Sequence, residues 1–196
     1  MAEILDVWIN AYQIVFARYG VKPTKQEIAF HFGDWKAPKY FEITDIDGCF
    51  KQIDEIANSD LKKVALSPGA FKLLGELKDK HLAILSSTPR EILAAALKHN
   101  KILDLFEVVL AGEDVVHHKP NPEVINKGLS KLNGDPSFAI MIGDSRKDIE
   151  AAKNAGVDSI LYYPKDHSIF YDLKDLNKYN PTFKISGFNE ALKILK

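Results

Sequence analysis

A second cysteine is missing. Cys49 stands alone among 196 residues, which excludes an internal disulfide and suits a reducing compartment. Cys49 itself reads as a small apolar filler. An excess of one charge sign is missing too. Lys and Arg number 26 against 27 Asp and Glu, a formal net charge of −1, so there is no electrostatic reason to expect nucleic acid or an anionic membrane as partner. No apolar run nears the roughly 18 residues that a membrane span needs. The N-terminus, with Asp6 and Asn10, lacks a basic segment leading into an apolar signal core. Repeats and low-complexity tracts are absent. The expectation is a soluble, cytoplasmic protein made of one substantial domain, or of a core domain with a small insert.

What is present, from about Ala65 onward, is regular alternation. Ser67-Pro68-Gly69 reads as the start of a helix over GAFKLLGELKDK. HLAILSS (81–87) is a nearly continuous apolar run, the pattern of a strand buried on both faces. Thr88-Pro89-Arg90-Glu91 then spells a capping box, so a helix begins where that strand ends. FEVVLAG (106–112), FAIMIGD (138–144) and VDSILYY (157–163) are three more strands, with helices opening at Asn121-Pro122-Glu123 and at Ser145 to Asp148. Gly156 stands where a helix C-terminus favours glycine. PTFKIS and GFNEALKILK add an edge strand and a closing amphipathic helix. Such alternation predicts an α/β fold with a Rossmann-like parallel sheet, whose ligands bind beyond the carboxyl ends of the strands.

The first 65 residues are different. Trp8, Ala11, Tyr12, Val15, Phe16 and Tyr19 recur at helical spacing up to Gly20. Thr24 with Glu27 is a second capping box, and the helix it starts ends near Gly33. Phe50, Ile53, Ala57, Leu61 and Val64 mark a third helix. Residues 1–65 therefore read as a small N-terminal helical cap module over a 66–196 core.

Three groups at the strand ends could carry chemistry. Asp144 and Asp148 flank a strand-to-helix turn, and two hard oxygen ligands there suit Mg²⁺; Asp148 could equally complete a capping box with Ser145. Lys119, just before a helix start, offers a fixed ammonium for a phosphate, or is a solvated surface lysine. Ser86 and Ser87 sit where backbone N–H groups at a helix start receive anions, or are inert beside Thr88. His117 and His118 are adjacent, poorly spaced to share a metal. No serine has the surroundings of a nucleophile elbow.

Taken in order, AILSSTPRE, HHKPNPEVI and IMIGDSRKDIEAAKNAG resemble motifs II, III and IV of the haloacid dehalogenase (HAD) superfamily, in its phosphoglycolate phosphatase-like branch. The resemblance covers nearly the whole chain, with VWINAYQIVFARYGVKPTKQEIAFHFGDW resembling the start of that branch's helical cap. It implies a hydrolase that cleaves small soluble phosphomonoesters through an aspartyl-phosphate, with Mg²⁺ as cofactor and a phosphorylated metabolite as partner, working as a monomer or homodimer. It implies that Ser86 hydrogen-bonds the phosphoryl group with Ser87 beside it, that Lys119 pairs with the phosphate and the nucleophile, and that Asp144 ligates the metal supported by Asp148. The dehalogenase branch works without metal, so an acidic Asp144 favours phosphate chemistry. Residues around Phe32 to Lys36 would set the substrate.

The family also needs Asp-x-Asp-Gly at the end of a central strand. Asp45-Ile46-Asp47-Gly48 has that spelling, but its would-be strand, KYFEIT, carries Lys39, Glu42 and Thr44, and helical spacing runs on from Phe50 to Val64. Asp45 or Asp47 reads better as the cap of that helix. The expectation is therefore a nucleophile strand encoded ahead of Met1. The alternatives are a catalytically inactive binding or regulatory protein, and a rearranged core in which Asp45 and Asp47 are catalytic.

Overall fold

In the computed structural model, residues 4–32, 34 and 36–195 are described. Helix α1 spans Ile4–Arg18, α2 Lys25–Phe30 and α3 Ile46–Leu61, with a 3-10 turn at Ala37–Phe41. Thr24 and Glu27 form the reciprocal capping box their spacing predicts, starting α2. Gly20, at φ 81°, lets the chain leave α1. The apolar stripes of α1 and α3 meet: Ile9, Tyr12, Val15 and Phe16 pack on Cys49, Ile53 and Ala57. Tyr12 meets Phe16 and Phe50 edge-on, at ring-centroid distances of 5.6 and 6.3 Å. Phe16 is completely buried, and removing a ring from such a site costs about 3–5 kcal/mol. Gly33, the end expected for α2, lies outside the described residues, as does Trp35 in the stretch expected to set the substrate.

The rest alternates as the pattern predicts: α4 Ala70–Glu76, β1 Ala83–Leu85, α5 Arg90–His99, β2 Val108–Leu110, α6 Glu123–Leu132, β3 Ile140–Gly143, α7 Arg146–Asn154, β4 Asp158–Tyr162, α8 Leu173–Asn177, β5 Phe183–Ile185 and α9 Phe188–Leu195. All strand pairings are parallel. Two helix starts differ from expectation. Gly69, at φ 83°, is the N-cap of α4, and Ser67 contributes its carbonyl rather than its hydroxyl. Pro89 precedes α5 and the Thr88 capping box does not form. Instead the Arg90 amide donates to both oxygens of Glu113, at 3.1 and 3.0 Å. A tertiary neighbour thus displaces the local cap.

The strands form two sheets, β1-β2 and β3-β4-β5, that lie in one layer. Leu82 at the start of β1, with Ile140 and Ile142 of β3, packs on the cluster built from α4 and α9. On the opposite face Ala83, Leu85, Ala139 and Met141 share the cluster built from α6 and α7. Yet β1 and β3 are half-exposed along their whole length, whereas every residue of β4 after Asp158 is buried. The sequence predicts burial on both faces for all of them. The faces are indeed covered; among the described residues no strand bonds the edge of β1 turned away from β2 or the edge of β3 turned away from β4.

Candidate active site

The turn after β1 carries Ser86 and Ser87. The Ser86 hydroxyl accepts from the Thr88 amide at 3.1 Å, which folds the turn back on itself. The Gly112 amide donates to the Thr88 carbonyl at 3.0 Å, and a Cβ on Gly112 would lie 2.7 Å from the Ser87 carbonyl oxygen. Only glycine allows that crossing. Ser87 is exposed and Ser86 half-buried. Glu113, not an external anion, already meets the first amide of α5.

At the end of β3, Gly143 permits a second close approach. A Cβ there would stand 2.3 Å from the Asp148 Cβ, so the missing side chain lets the first turn of α7 fold onto the strand end. Ser145 and Asp148 form the full capping box: the Asp148 amide donates to the Ser145 hydroxyl, and Asp148 Oδ2 accepts from the Ser145 hydroxyl at 2.6 Å and from its amide at 3.2 Å. The capping-box reading of Asp148 thus holds, and its other oxygen is left to meet Lys119. Lys119 Nζ donates to Asp148 Oδ1 at 2.6 Å and to the Leu85 carbonyl at 3.2 Å. The ammonium therefore ties the carboxyl end of β1 to the start of α7. Its side chain is 14% exposed and that of Asp148 10%, which sets Lys119 apart from a solvated surface lysine.

Burial pulls the Asp148 carboxyl upward, but the Lys119 ammonium and the Ser145 hydrogen bonds outweigh it, and the net shift is below the ordinary carboxylate range. Asp144 moves the other way. Burial first, and then the charge of Asp148, raise it. Among the described residues no other side chain hydrogen-bonds its carboxylate. A half-buried carboxyl whose ionisation is opposed by a neighbouring carboxylate is a place where a cation relieves repulsion. Among the described residues no group of three or more acidic, histidine or cysteine side chains is placed to hold a metal ion; at this strand end the open carboxylate is Asp144, with Asp148 behind it. That donor set fits Mg²⁺, which binds through one or two carboxylates and keeps several waters.

Sequence reasoning missed two neighbours of this pair. The Tyr171 hydroxyl is pushed up to about 12 by burial and by the charges of Asp144 and Asp148. His167, whose charge acts on Asp144, has an Nδ1 that is buried without a hydrogen-bond partner. Both lie in the segment after β4, which carries no motif that could have announced them. His117 and His118 are exposed.

Asp45 and Asp47 take no part in this arrangement. Asp45 is the N-cap of α3, its carboxylate accepting from the Gly48 amide at 3.0 Å and from the Tyr19 hydroxyl at 2.9 Å. A Cβ on Gly48 would fall 2.2 Å from Asp45 Oδ2, so the glycine of Asp-x-Asp-Gly serves the cap here. Asp47 lies in the first turn of α3, where an acid suits the helix dipole.

Known proteins point the same way as this geometry. The pattern of the haloacid dehalogenase-like hydrolases matches residues 1–162. The pyrophosphatase PpaX of Bacillus cereus is 32% identical over 130 residues, 64% of this chain but only 57% of that relative's length. Among solved structures, a haloacid dehalogenase-like hydrolase from Streptococcus pneumoniae superposes with a TM-score of 0.79 at 20% identity, over 100% of this chain and 93% of that one. A mutant of CbbY from Rhodobacter sphaeroides, in complex with xylulose-(1,5)bisphosphate, does so with a TM-score of 0.66 at 22% identity, over 97% and 91%. Identities this low carry the fold alone, and the fold agrees with the sequence match: the chain belongs to the haloacid dehalogenase-like hydrolase family.

Proposed function

We propose that this protein is a Mg²⁺-dependent phosphatase of small soluble phosphomonoesters in the cytoplasm. The observation that carries the reading is Lys119, a largely buried ammonium held between the Leu85 carbonyl and Asp148, at the strand ends where Ser86 and Asp144 also lie. In this reading the Ser86 hydroxyl and the turn around Ser87 hold the phosphoryl oxygens. Lys119 offsets their charge and orients the attacking carboxylate. Asp144, backed by Asp148, would hold Mg²⁺, which when bound supplies charge neutralisation on the phosphoryl group. The phosphoryl group passes from the ester oxygen to an aspartate carboxylate, an alcohol leaves with a proton, and water then returns the aspartate and inorganic phosphate. That aspartate is neither Asp45, which caps α3, nor Asp47, which lies in the first turn of the same helix. The activities of PpaX and the bisphosphate held by CbbY support phosphate esters or anhydrides as the substrate class.

The test is hydrolysis of p-nitrophenyl phosphate with Mg²⁺ by this protein. Lys119→Ala and Asp144→Asn are expected to lower turnover by at least a hundredfold, and Ser86→Ala by roughly tenfold. Equal turnover in wild type and Lys119→Ala sinks the assignment. A second reading, a non-catalytic phosphate-binding or regulatory protein, is favoured by the engagement of the carboxylates: Asp148 is held by Lys119 and Ser145, and Asp45 by the first turn of α3. Phosphate binding with Mg²⁺ but without turnover would select it.

A further inference from the structure

Between the helical module and the stretch after β4 lies a hollow of about 420 Å³, a volume in the range of small-molecule sites. One wall is Phe30, at the end of α2; the other carries Tyr163, Phe170 and Tyr171. The strand register places it beside the carboxylate pair. Leu161 of β4 pairs with Gly143 of β3, so Tyr163 stands just past the carboxyl end of β4, one strand over from Asp144. The charges of Asp144 and Asp148 reach the hydroxyl of Tyr171. Both walls are held from behind. The Tyr163 hydroxyl donates to the Tyr171 carbonyl at 2.6 Å, and Phe170 meets Phe32 edge-on at 5.6 Å within the cluster of α1 and α3. Phe30 is 84% exposed, yet its ring stands edge-on to His31 at 4.9 Å, and His31 stacks on Tyr40 at 4.1 Å. An aromatic ring left in water but fixed by two others is a prepared stacking surface.

We propose that this hollow binds the base of a nucleoside monophosphate, the substrate class of the phosphatase, with the ring stacked on Phe30 and a base N–H donating to Asp172. Two polar groups in the hollow choose that ligand. Asp172 gives one carboxylate oxygen to the Lys174 amide, which leaves the other to accept. Ser168 spends its proton on the Lys165 carbonyl at 2.7 Å, so its oxygen also is left to accept. Acceptors beside aromatic walls suit a flat ring that carries N–H donors. The same carboxylate repels a second anionic group, which disfavours a sugar bisphosphate. The position of the phosphate, toward Asp144 and Lys119, rests on the phosphatase reading; binding of the base depends on the hollow alone.

The experiment titrates the protein with adenosine 5′-monophosphate, adenosine and ribose 5-phosphate by calorimetry, in Mg²⁺, and follows release of inorganic phosphate from the two phosphates. The nucleotide is expected to bind at least tenfold more tightly than ribose 5-phosphate. Phe30→Ala, at a position too exposed to threaten the fold, should weaken the nucleotide and adenosine about tenfold and leave ribose 5-phosphate unchanged. Asp172→Asn keeps a capping side chain on α8 but presents an N–H, so it should lower the preference for adenosine over inosine. Equal affinity for the nucleotide and ribose 5-phosphate overturns the proposal, as does adenosine binding that Phe30→Ala leaves untouched. Adenosine binding lost in Phe30→Ala, with neither phosphate hydrolysed, would sink the phosphatase reading and leave the base-binding hollow standing.

Discussion

Lys119 Nζ and Asp148 Oδ1 stand 2.6 Å apart with both side chains largely out of solvent. A buried pair of this kind is a doubtful source of stability when formed and a costly one to break singly. Lys119→Met leaves Asp148 buried with only Ser145 as partner, so a loss of about 3–5 kcal/mol, or roughly 10 °C in Tm, is expected at pH 7. Thermal unfolding followed by circular dichroism measures it. Because Asp148 is depressed in the fold, its contribution is present above the ordinary aspartate value of about 3.9 and is lost as pH falls through the folded value. The wild type should therefore lose stability between about pH 5 and 2, and Asp148→Asn should show a shallower acid limb.

Asp144 carries the opposite sign. A carboxyl raised in the fold favours folding only while protonated, so its contribution is present below the unfolded value and disappears as pH rises through the folded one. At pH 7, without metal, Asp144→Asn is expected to match or exceed the wild type in Tm. Millimolar Mg²⁺ should raise the wild-type Tm and leave Asp144→Asn unchanged, with EDTA reversing the effect. An equal Mg²⁺ response in both proteins would remove Asp144 as the ligand.

Asp45 is bound by the first turn of α3. Asp45→Ala should cost about 1 kcal/mol, within the range for N-cap loss, and Asp45→Asn almost nothing. Phosphatase turnover should be equal in both variants and the wild type. Loss of turnover in Asp45→Asn would restore the Asp45-Ile46-Asp47-Gly48 signature as catalytic.

Cys49 is fully buried, and burial followed by the charge of Asp45 pushes its thiol up to about 11. At pH 8 only about one thiol in a thousand is then ionised. In the folded protein iodoacetamide should label Cys49 no faster than the chain opens, whereas in urea labelling should be complete within minutes. Rapid labelling without denaturant would contradict the packing of α1 on α3.

The features legible in the sequence are those that local chemistry decides. The capping boxes at Thr24–Glu27 and Ser145–Asp148 form as spelled, because each is closed by residues three apart. The helical periodicity through Phe50 and Ile53 tells against Asp45 as a nucleophile, and Asp45 caps the helix that this periodicity marks. Where a distant residue competes, local spelling fails: the Thr88 box gives way to Glu113, 25 residues on in the chain. His167 and Tyr171 reach Asp144 and Asp148 only through folding.

By itself the sequence determined the alternation of strands and helices, the order of the three motifs and hence the family, since these depend on periodicity and spacing along one chain. Only the tertiary structure decided that Lys119 joins Leu85 to Asp148, and that Asp148 caps a helix with one oxygen while meeting Lys119 with the other. Each depends on which backbone edges and side chains meet across tens of residues, where packing and desolvation, not local propensity, set the outcome.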